Sequence, residues 1–375
     1  MMTPSLNVGS QHRWLLTLLT LLVVLLSLAP SLRLLMEALS DLGQGSSAPL
    51  WKVLNAASTW RALWHSMYTS GLGMLIALVL GSLFAFVITL TDIRGKAWLV
   101  FCFMLPMMIP PQVTALSWLQ LFGPASPLLK SIGMAPPLGS PQPLYSAEGI
   151  GLLLGIQSAP LVFLALRTSL MSLPRELVEA ARISGARQGQ VWGHIILPVT
   201  RHGLIAGAAM AFISSLGNFG IPAMLGIPAG YYVLPTLIYQ RMANFGTGVL
   251  AEMAALSLLI GVLALAGVAL QQYWMNRSRF GLGGHSGRAH DFSLGRWRTG
   301  VTTLLIMVLL LILVAPLLAL VVSSLVPAMG VPLSLDTITL NAYHEVIGRQ
   351  GATWRAVRNS FWLAGGAALV LILLT

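Results

Sequence analysis

The chain is short of charge. Lys, Arg, Asp and Glu make up 8% of its 375 residues, where soluble domains carry about 25%. A soluble fold of this size would lack the polar residues to cover its surface, and a disordered chain would be charge-rich and apolar-poor. Both are excluded. Cysteine occurs once, as Cys102, which rules out a disulfide framework and any Cys-based zinc site within one chain. No G-x-x-x-x-G-K-[ST] loop is present to cradle nucleotide phosphates. No paired carboxylates and no Ser/His/Asp cluster suggest themselves, and the seven histidines lack any two-His-plus-acid spacing suited to a metal. No catalytic residue, metal ligand or cofactor is therefore assigned to this chain.

What is abundant is apolar sequence, 56% of the chain, laid out in long uncharged runs. No charged residue lies between Arg61 and Asp92, Lys96 and Lys130, Arg201 and Arg241, Glu252 and Arg277, or Arg298 and Asp336. A helix needs about 20 apolar residues to cross a bilayer. Spans are expected at Trp14–Met36, Trp64–Leu90, Ala97–Leu119, Gly149–Leu170, His202–Leu225, Gly248–Gln271 and Val301–Leu325. An eighth begins near Asn359 and is still apolar at Thr375. The fold class is thus all-α, a polytopic transmembrane helical bundle of about eight spans. The first run has the makings of a signal peptide, with His12 and Arg13 before it and Ser27-Leu28-Ala29 as a small-residue site. Pro30 after Ala29, and continuation of the run to Met36, favour an uncleaved span.

Basic residues set the orientation. With the N-terminus inside, the cytoplasmic segments hold Arg13, Arg94, Lys96, Arg167, Arg175, Arg182, Arg187, Arg201, Arg277, Arg279, Arg288, Arg296 and Arg298, thirteen of the 21 Lys and Arg. The stretch Arg277–Arg298, rich in Gly and Ser, reads as a flexible basic linker. It has neither an aromatic platform nor a recognition motif for nucleic acid. The net charge of +11 is accordingly read as a membrane protein's basic loops, with lipid as partner and no nucleic acid.

The chain repeats itself. Thr59-Trp60-Arg61-Ala62 recurs as Thr353-Trp354-Arg355-Ala356, Ser66 and Gly71 find Ser360 and Gly365 at the same offset, and Ala29-Pro30 resembles Ala315-Pro316. The organisation expected is a leading span and outside loop over 1–58, a permease-like domain over 59–272, a basic linker over 273–300, a second leading span and loop over 301–352, and the start of a second domain over 353–375. Only the beginning of this second domain is present in 1–375.

The most specific segment lies between the fourth and fifth spans. It runs Leu173-Pro174-Arg175-Glu176-Leu177-Val178-Glu179-Ala180-Ala181-Arg182-Ile183-Ser184-Gly185-Ala186 and continues to His194-Ile195-Ile196-Leu197-Pro198. Pro174 suits a helix's first turn, Glu176 and Glu179 favour its positive end, and Gly185 tolerates the positive φ of a sharp break. Pro198 is expected to start the return into the membrane. The whole reads as a short helix–turn–helix on the cytoplasmic face, with small residues where a partner could approach closely.

Glu179, Ala180, Ala181, Gly185, Ile195, Leu197 and Pro198 resemble, at every position and spacing, the EAA loop of MetI-like, binding-protein-dependent ABC importer permeases. The resemblance covers about residues 60–272 and restarts near 353. It implies that this loop is a coupling helix docking on a separate cytoplasmic ABC ATPase dimer that binds the ATP and Mg. It also implies a periplasmic substrate-binding protein, a second permease domain or chain, and a bacterial inner-membrane location. The two-unit layout resembles fused ferric-iron permeases, whose relatives carry aminophosphonate or thiamine. Ferric iron is therefore the cargo favoured. Ser214, Ser215 and Asn218 are candidates for a substrate pathway, since a helix through them would put them on one face; serines bonded to their own helix and an asparagine tying two helices is the structural alternative. Pro106, Pro110 and Pro111 point to a kink or a re-entrant edge, and Glu252 to an interfacial anchor or a gate residue. A stand-alone secondary transporter or channel is the alternative class, but the charge-free runs offer no Asp, Glu, Lys or Arg for ion coupling.

Overall fold

The computed structural model describes residues 17, 20–22, 24–39, 48–137, 139–243, 248–277 and 292–374. His12, Arg13, residues 40–47 and most of the basic linker, with Arg279 and Arg288, lie outside the described residues. The chain forms α1 (Thr20–Ala38), α2 (Pro49–Asn55), α3 (Ala57–Leu90), α4 (Lys96–Met108), α5 (Pro111–Phe122), α6 (Pro127–Ser131), α7 (Ala147–Met171), α8 (Arg175–Ile183), α9 (Gln188–Leu216), α10 (Gly220–Leu225), α11 (Leu234–Met242), α12 (Val249–Arg277), α13 (Gly295–Ser324) and α14 (Gly351–Leu374). Six of these, α1, α3, α7, α9, α12 and α13, are long and apolar enough to span a membrane, and the bent pair α4–α5 can be counted as a seventh. The eighth expected run lies within α14. The only β pairing among the described residues is one isolated bridge, Thr91 to Phe292.

Two expected spans are not continuous. The run Ala97–Leu119 turns by 101° between α4 and α5, at Ile109 and Pro110, where consecutive prolines withdraw two N–H donors and force an extended residue before each ring. The run His202–Leu225 belongs to a helix that starts earlier, at Gln188, and stops at Leu216; Gly217–Phe219 separates it from α10. Pro198 stands in the first turn of the α-helical part of α9, Leu197–Leu216, two residues after a π-helical turn over Trp192–Ile196. The same pairing recurs at Val24–Leu28 before Pro30 and at Leu310–Val314 before Pro316. A widened turn ahead of each proline relieves the clash between its ring and the preceding carbonyl, so all three helices continue.

The core is the seam of α3, α7 and α9. α7 is the most enclosed of the candidate spans, with 72% of its most apolar stretch buried. Its start is fixed by Ser146, whose Oγ accepts the Gly149 N–H at 3.0 Å, with Glu148 in the first turn. Small residues bring the backbones together, as expected of helices that gain little from burial against lipid. A Cβ on Gly81 would lie 2.7 Å from the Ala159 carbonyl oxygen and 2.7 Å from the Val162 Cβ. Where α9 packs on α7, a Cβ on Gly203 would lie 2.9 Å from the Ala165 oxygen. Phe84, Phe103 and Phe163 close the centre, with Phe84 and Phe103 stacked at 4.0 Å and Phe163 edge-on to Phe103 at 5.4 Å.

The two copies of the short repeat share a detail. Trp60 Nε1 donates to the Leu54 carbonyl at 2.7 Å, and Trp354 Nε1 donates to the Ile347 carbonyl at 2.7 Å. In each, the indole at the start of a long helix closes the turn that precedes it.

Candidate functional site

The loop between α7 and α9 folds as a short helix, a tight turn and a second helix. Pro174, with φ −65° and ψ 134°, is extended and hands the chain to α8. Its carbonyl accepts the Leu177 N–H at 3.3 Å. Val178 is completely buried and anchors α8 on the core, while Glu176, Glu179 and Ala180 stay exposed. That division gives α8 one buried edge and an exposed side that carries Glu176, Glu179 and Ala180 beside the apolar Leu177 and Ile183.

α8 ends in a paired hydrogen-bond stop. The Ala186 N–H donates to the Ala181 carbonyl at 2.9 Å and the Gly185 N–H to the Arg182 carbonyl at 3.0 Å. This is a Schellman arrangement with Gly185 in the left-handed position, at φ +83°. No atom lies within 4 Å of where its Cβ would be, so glycine is required by conformation and not by space. The Arg187 N–H then donates to Gln190 Oε1 at 2.8 Å and opens α9. Val191 and Ile196 are buried, Ile195 is half-buried and Leu197 is exposed. The loop is thus stitched to the core by Val178, Val191 and Ile196 and offers Glu179, Ala180 and the turn to solvent.

Three pathway candidates do not share a helix face. α9 ends at Leu216, so Asn218 falls in the break, where its Oδ1 accepts the Ile221 N–H at 3.2 Å and caps α10. Ser215 is buried and meets Ser158 Oγ of α7 at 3.3 Å, whereas Ser214 is exposed. The i, i+3, i+4 spacing failed as a guide because Gly217 and Gly220 interrupt the helix on which it depended.

The polar residue that the sequence reading missed is Gln157. It is 8% exposed on α7. Its Nε2 donates to the Ile109 carbonyl at 3.0 Å, and its Oε1 accepts from Thr114 Oγ1 at 3.2 Å. The sharp bend between α4 and α5 frees that carbonyl, and in an apolar surrounding it must find a donor. The available signal was a lone amide inside the run Gly149–Leu170. The bend lies beside the second break, since a Cβ on Gly220 would meet Pro111 and Gln112 at 2.8 Å. Two helix interruptions and their polar groups thus adjoin. Elsewhere, Glu252 pairs with Arg241 at 3.2 Å, both partly exposed, a surface tie between α11 and α12. Among the described residues no group of three His, Cys, Asp or Glu side chains could hold a metal ion.

At the same end as α8, Asp92 follows α3. Its Oδ1 accepts the Leu294 N–H at 3.0 Å and its Oδ2 lies 3.8 Å from Arg298 Nη1. The Leu294 N–H, with help from the Arg298 charge and against a contribution from partial burial, holds its carboxyl below the ordinary carboxylate value.

Residues 77–277 match the family described as "Binding-protein-dependent transport system inner membrane component". The molybdenum transport system permease protein ModB of Escherichia coli (strain K12) is 32% identical over 222 residues, 56% of this chain and 90% of that protein. The putative ferric transport system permease protein FbpB 1 of Haemophilus influenzae is 26% identical over 273 residues, 72% of this chain and 42% of that protein. Among solved structures, a chain of the bacterial alginate ABC transporter, crystallised with an alginate pentasaccharide-bound periplasmic protein, superposes with a TM-score of 0.54 at 20% identity. The match covers 72% of this chain and 95% of that one, and it bears on the fold alone.

Proposed function

The chain belongs to the family of binding-protein-dependent transport system inner-membrane components, the permeases of ABC importers, and from that premise we propose that Arg175–Pro198 is its ATPase-coupling element. The observation that carries this is the geometry of the loop. Glu179, Ala180 and Ala181 sit on a short surface helix, Gly185 turns the chain with a left-handed backbone, and Val178, Val191 and Ile196 fasten both arms to the core that α7 and α9 share. A push on such a loop moves the helices behind it. The partner is a cytoplasmic ABC ATPase dimer that binds ATP and Mg, so the loop, the N-terminus and the basic linker face the cytoplasm. A periplasmic binding protein delivers cargo on the opposite side. The test is capture of the ATPase by membranes carrying Gly185→Val. The variant reaches normal membrane levels and loses the ATPase; full retention at normal levels would disprove the coupling role.

The domain organisation proposed is a permease unit over 59–272, a leading span over 1–58, a linker over 273–300, a second leading span over 301–352, and a restart at 353. Support comes from the shared tryptophan hydrogen bonds at Trp60 and Trp354 and the π-helical turns before Pro30 and Pro316. A second permease domain or chain completes the pathway, to which the adjoining breaks around Gln157, Ser215 and Asn218 contribute polar groups.

Ferric iron is the cargo proposed, supported by this two-unit layout and by the similarity to a ferric permease over 72% of the chain. The second reading is molybdenum, favoured by the 32% identity to a molybdenum permease. Uptake of radiolabelled iron and of radiolabelled molybdate by cells carrying the full transporter decides between them: iron uptake lost on deleting the permease supports the first, and loss of molybdate uptake alone supports the second.

A further inference from the structure

A phenylalanine that no motif singled out is built into the base of the loop. Phe292 is 4% exposed although its backbone is irregular. Its N–H donates to the Leu90 carbonyl at 2.7 Å, and it bridges in parallel to Thr91 at the end of α3. The Arg182 guanidinium, in the last turn of α8, lies over its ring at 5.0 Å. Trp192, in the first turns of α9, lies 6.2 Å away and itself meets Phe86 of α3 edge-on at 5.4 Å. Two and six residues further on, the Leu294 N–H and Arg298 Nη1 both engage Asp92. From there the chain runs directly into α13.

One short segment therefore touches the end of α3, the turn before α4, the last turn of α8 and the start of α9. We propose that Phe292–Arg298 is a clasp that positions the coupling loop and ties it to the leading span of the second unit. The proposal rests on the coupling reading of Arg175–Pro198 given above. Phe292 is a positioning residue. It touches neither nucleotide nor cargo, and it acts through Arg182 and Trp192. Movement of α8 by the ATPase would then reach α13 through the clasp as well as the core helices through Val178 and Val191.

The experiment uses the full chain with its transporter partners in lipid nanodiscs and compares Phe292→Ala with Phe292→Tyr. Hydrogen exchange over residues 181–192, measured without the ATPase, reads the clasp directly. Phe292→Ala speeds exchange there by about tenfold while the amides of α7 are unchanged, since local opening draws on local contacts. Phe292→Tyr keeps the ring and restores protection. In the assembled transporter, Phe292→Ala lowers the maximal rate of ATP hydrolysis by about threefold to thirtyfold, the range of couplings carried by side chains remote from both sites, and leaves the KM for ATP unchanged. Unchanged exchange over 181–192 would overturn the clasp, as would faster exchange with an unchanged hydrolysis rate. Gly185→Val separates the two ideas. If it loses the ATPase while Phe292→Ala hydrolyses ATP normally, the clasp alone is wrong; if it retains the ATPase, the coupling reading itself has failed.

Discussion

Gly81 and Gly185 are the same residue used for opposite reasons. Gly81 lies in the seam between α3 and α7, in an ordinary helical conformation, with the Ala159 oxygen and the Val162 Cβ both 2.7 Å from where its Cβ would stand. Gly185 has open space around it and a backbone at φ +83°. The first glycine is demanded by a neighbour, the second by its own torsion angle. The seam is therefore limited by volume and governs whether the bundle forms. The loop is limited by conformation and governs the shape it shows to a partner.

Substitutions can break or sharpen that contrast. The largest loss of stability is expected at the seam. Gly81→Ala forces α3 from α7 and costs about 1–3 kcal/mol, the usual range for overpacking, and Gly81→Val costs more because its branch meets the same wall. Thermal unfolding in detergent measures this. A Gly81→Val chain as stable as the parent would mean that the two helices do not approach closely.

Gln157→Leu comes next. It keeps the volume of the seam but strips the Ile109 carbonyl and the Thr114 hydroxyl of their partner. A buried group left unsatisfied costs about 1–3 kcal/mol. The outcome expected is a lower unfolding midpoint with normal membrane insertion. No change in midpoint would mean that another donor serves the bend.

Gly185→Ala should cost about 1–2 kcal/mol, the penalty of a left-handed residue bearing a Cβ. Gly185→Asn should recover most of it, because asparagine tolerates that region. At position 81 asparagine should be worse than alanine. The reversal of the Ala and Asn order between the two sites is the sharpest form of the comparison, and a common order at both would dissolve it.

Glu179→Ala is the smallest change to the fold. An exposed residue away from caps and core alters stability within about 0.5 kcal/mol. Its effect belongs to the partner: ATPase affinity should fall by the worth of one charge-assisted contact, about 1–3 kcal/mol, read by titration of the ATPase onto permease in nanodiscs. A variant that lost stability but kept its affinity would reverse the assignment of Glu179.

The sequence by itself determined the class of molecule, the number of apolar runs and the place of the loop. Each of these is encoded locally: about twenty apolar residues make a span wherever they occur, and Pro174, Glu179 and Gly185 set a helix start, an acidic surface group and a left-handed stop within a dozen residues. The glycine requirement at 185 was legible for that reason. Pro106, Pro110 and Pro111 point to a kink in the third run, but only the tertiary structure decided that it bends by 101°, that Asn218 caps α10 in place of sharing a face with Ser214 and Ser215, that a π-helical turn leads into Pro198, and that Gln157, Ser158 and Phe292 matter. Gln157 finds its carbonyl 48 residues away, Ser158 its hydroxyl partner 57 residues away, and Leu294, beside Phe292, its carboxylate 202 residues away. A polar group freed by a helix break must be satisfied by whichever donor the packing brings near, and that choice is made by three helices together, beyond what the spacing along any one of them can specify.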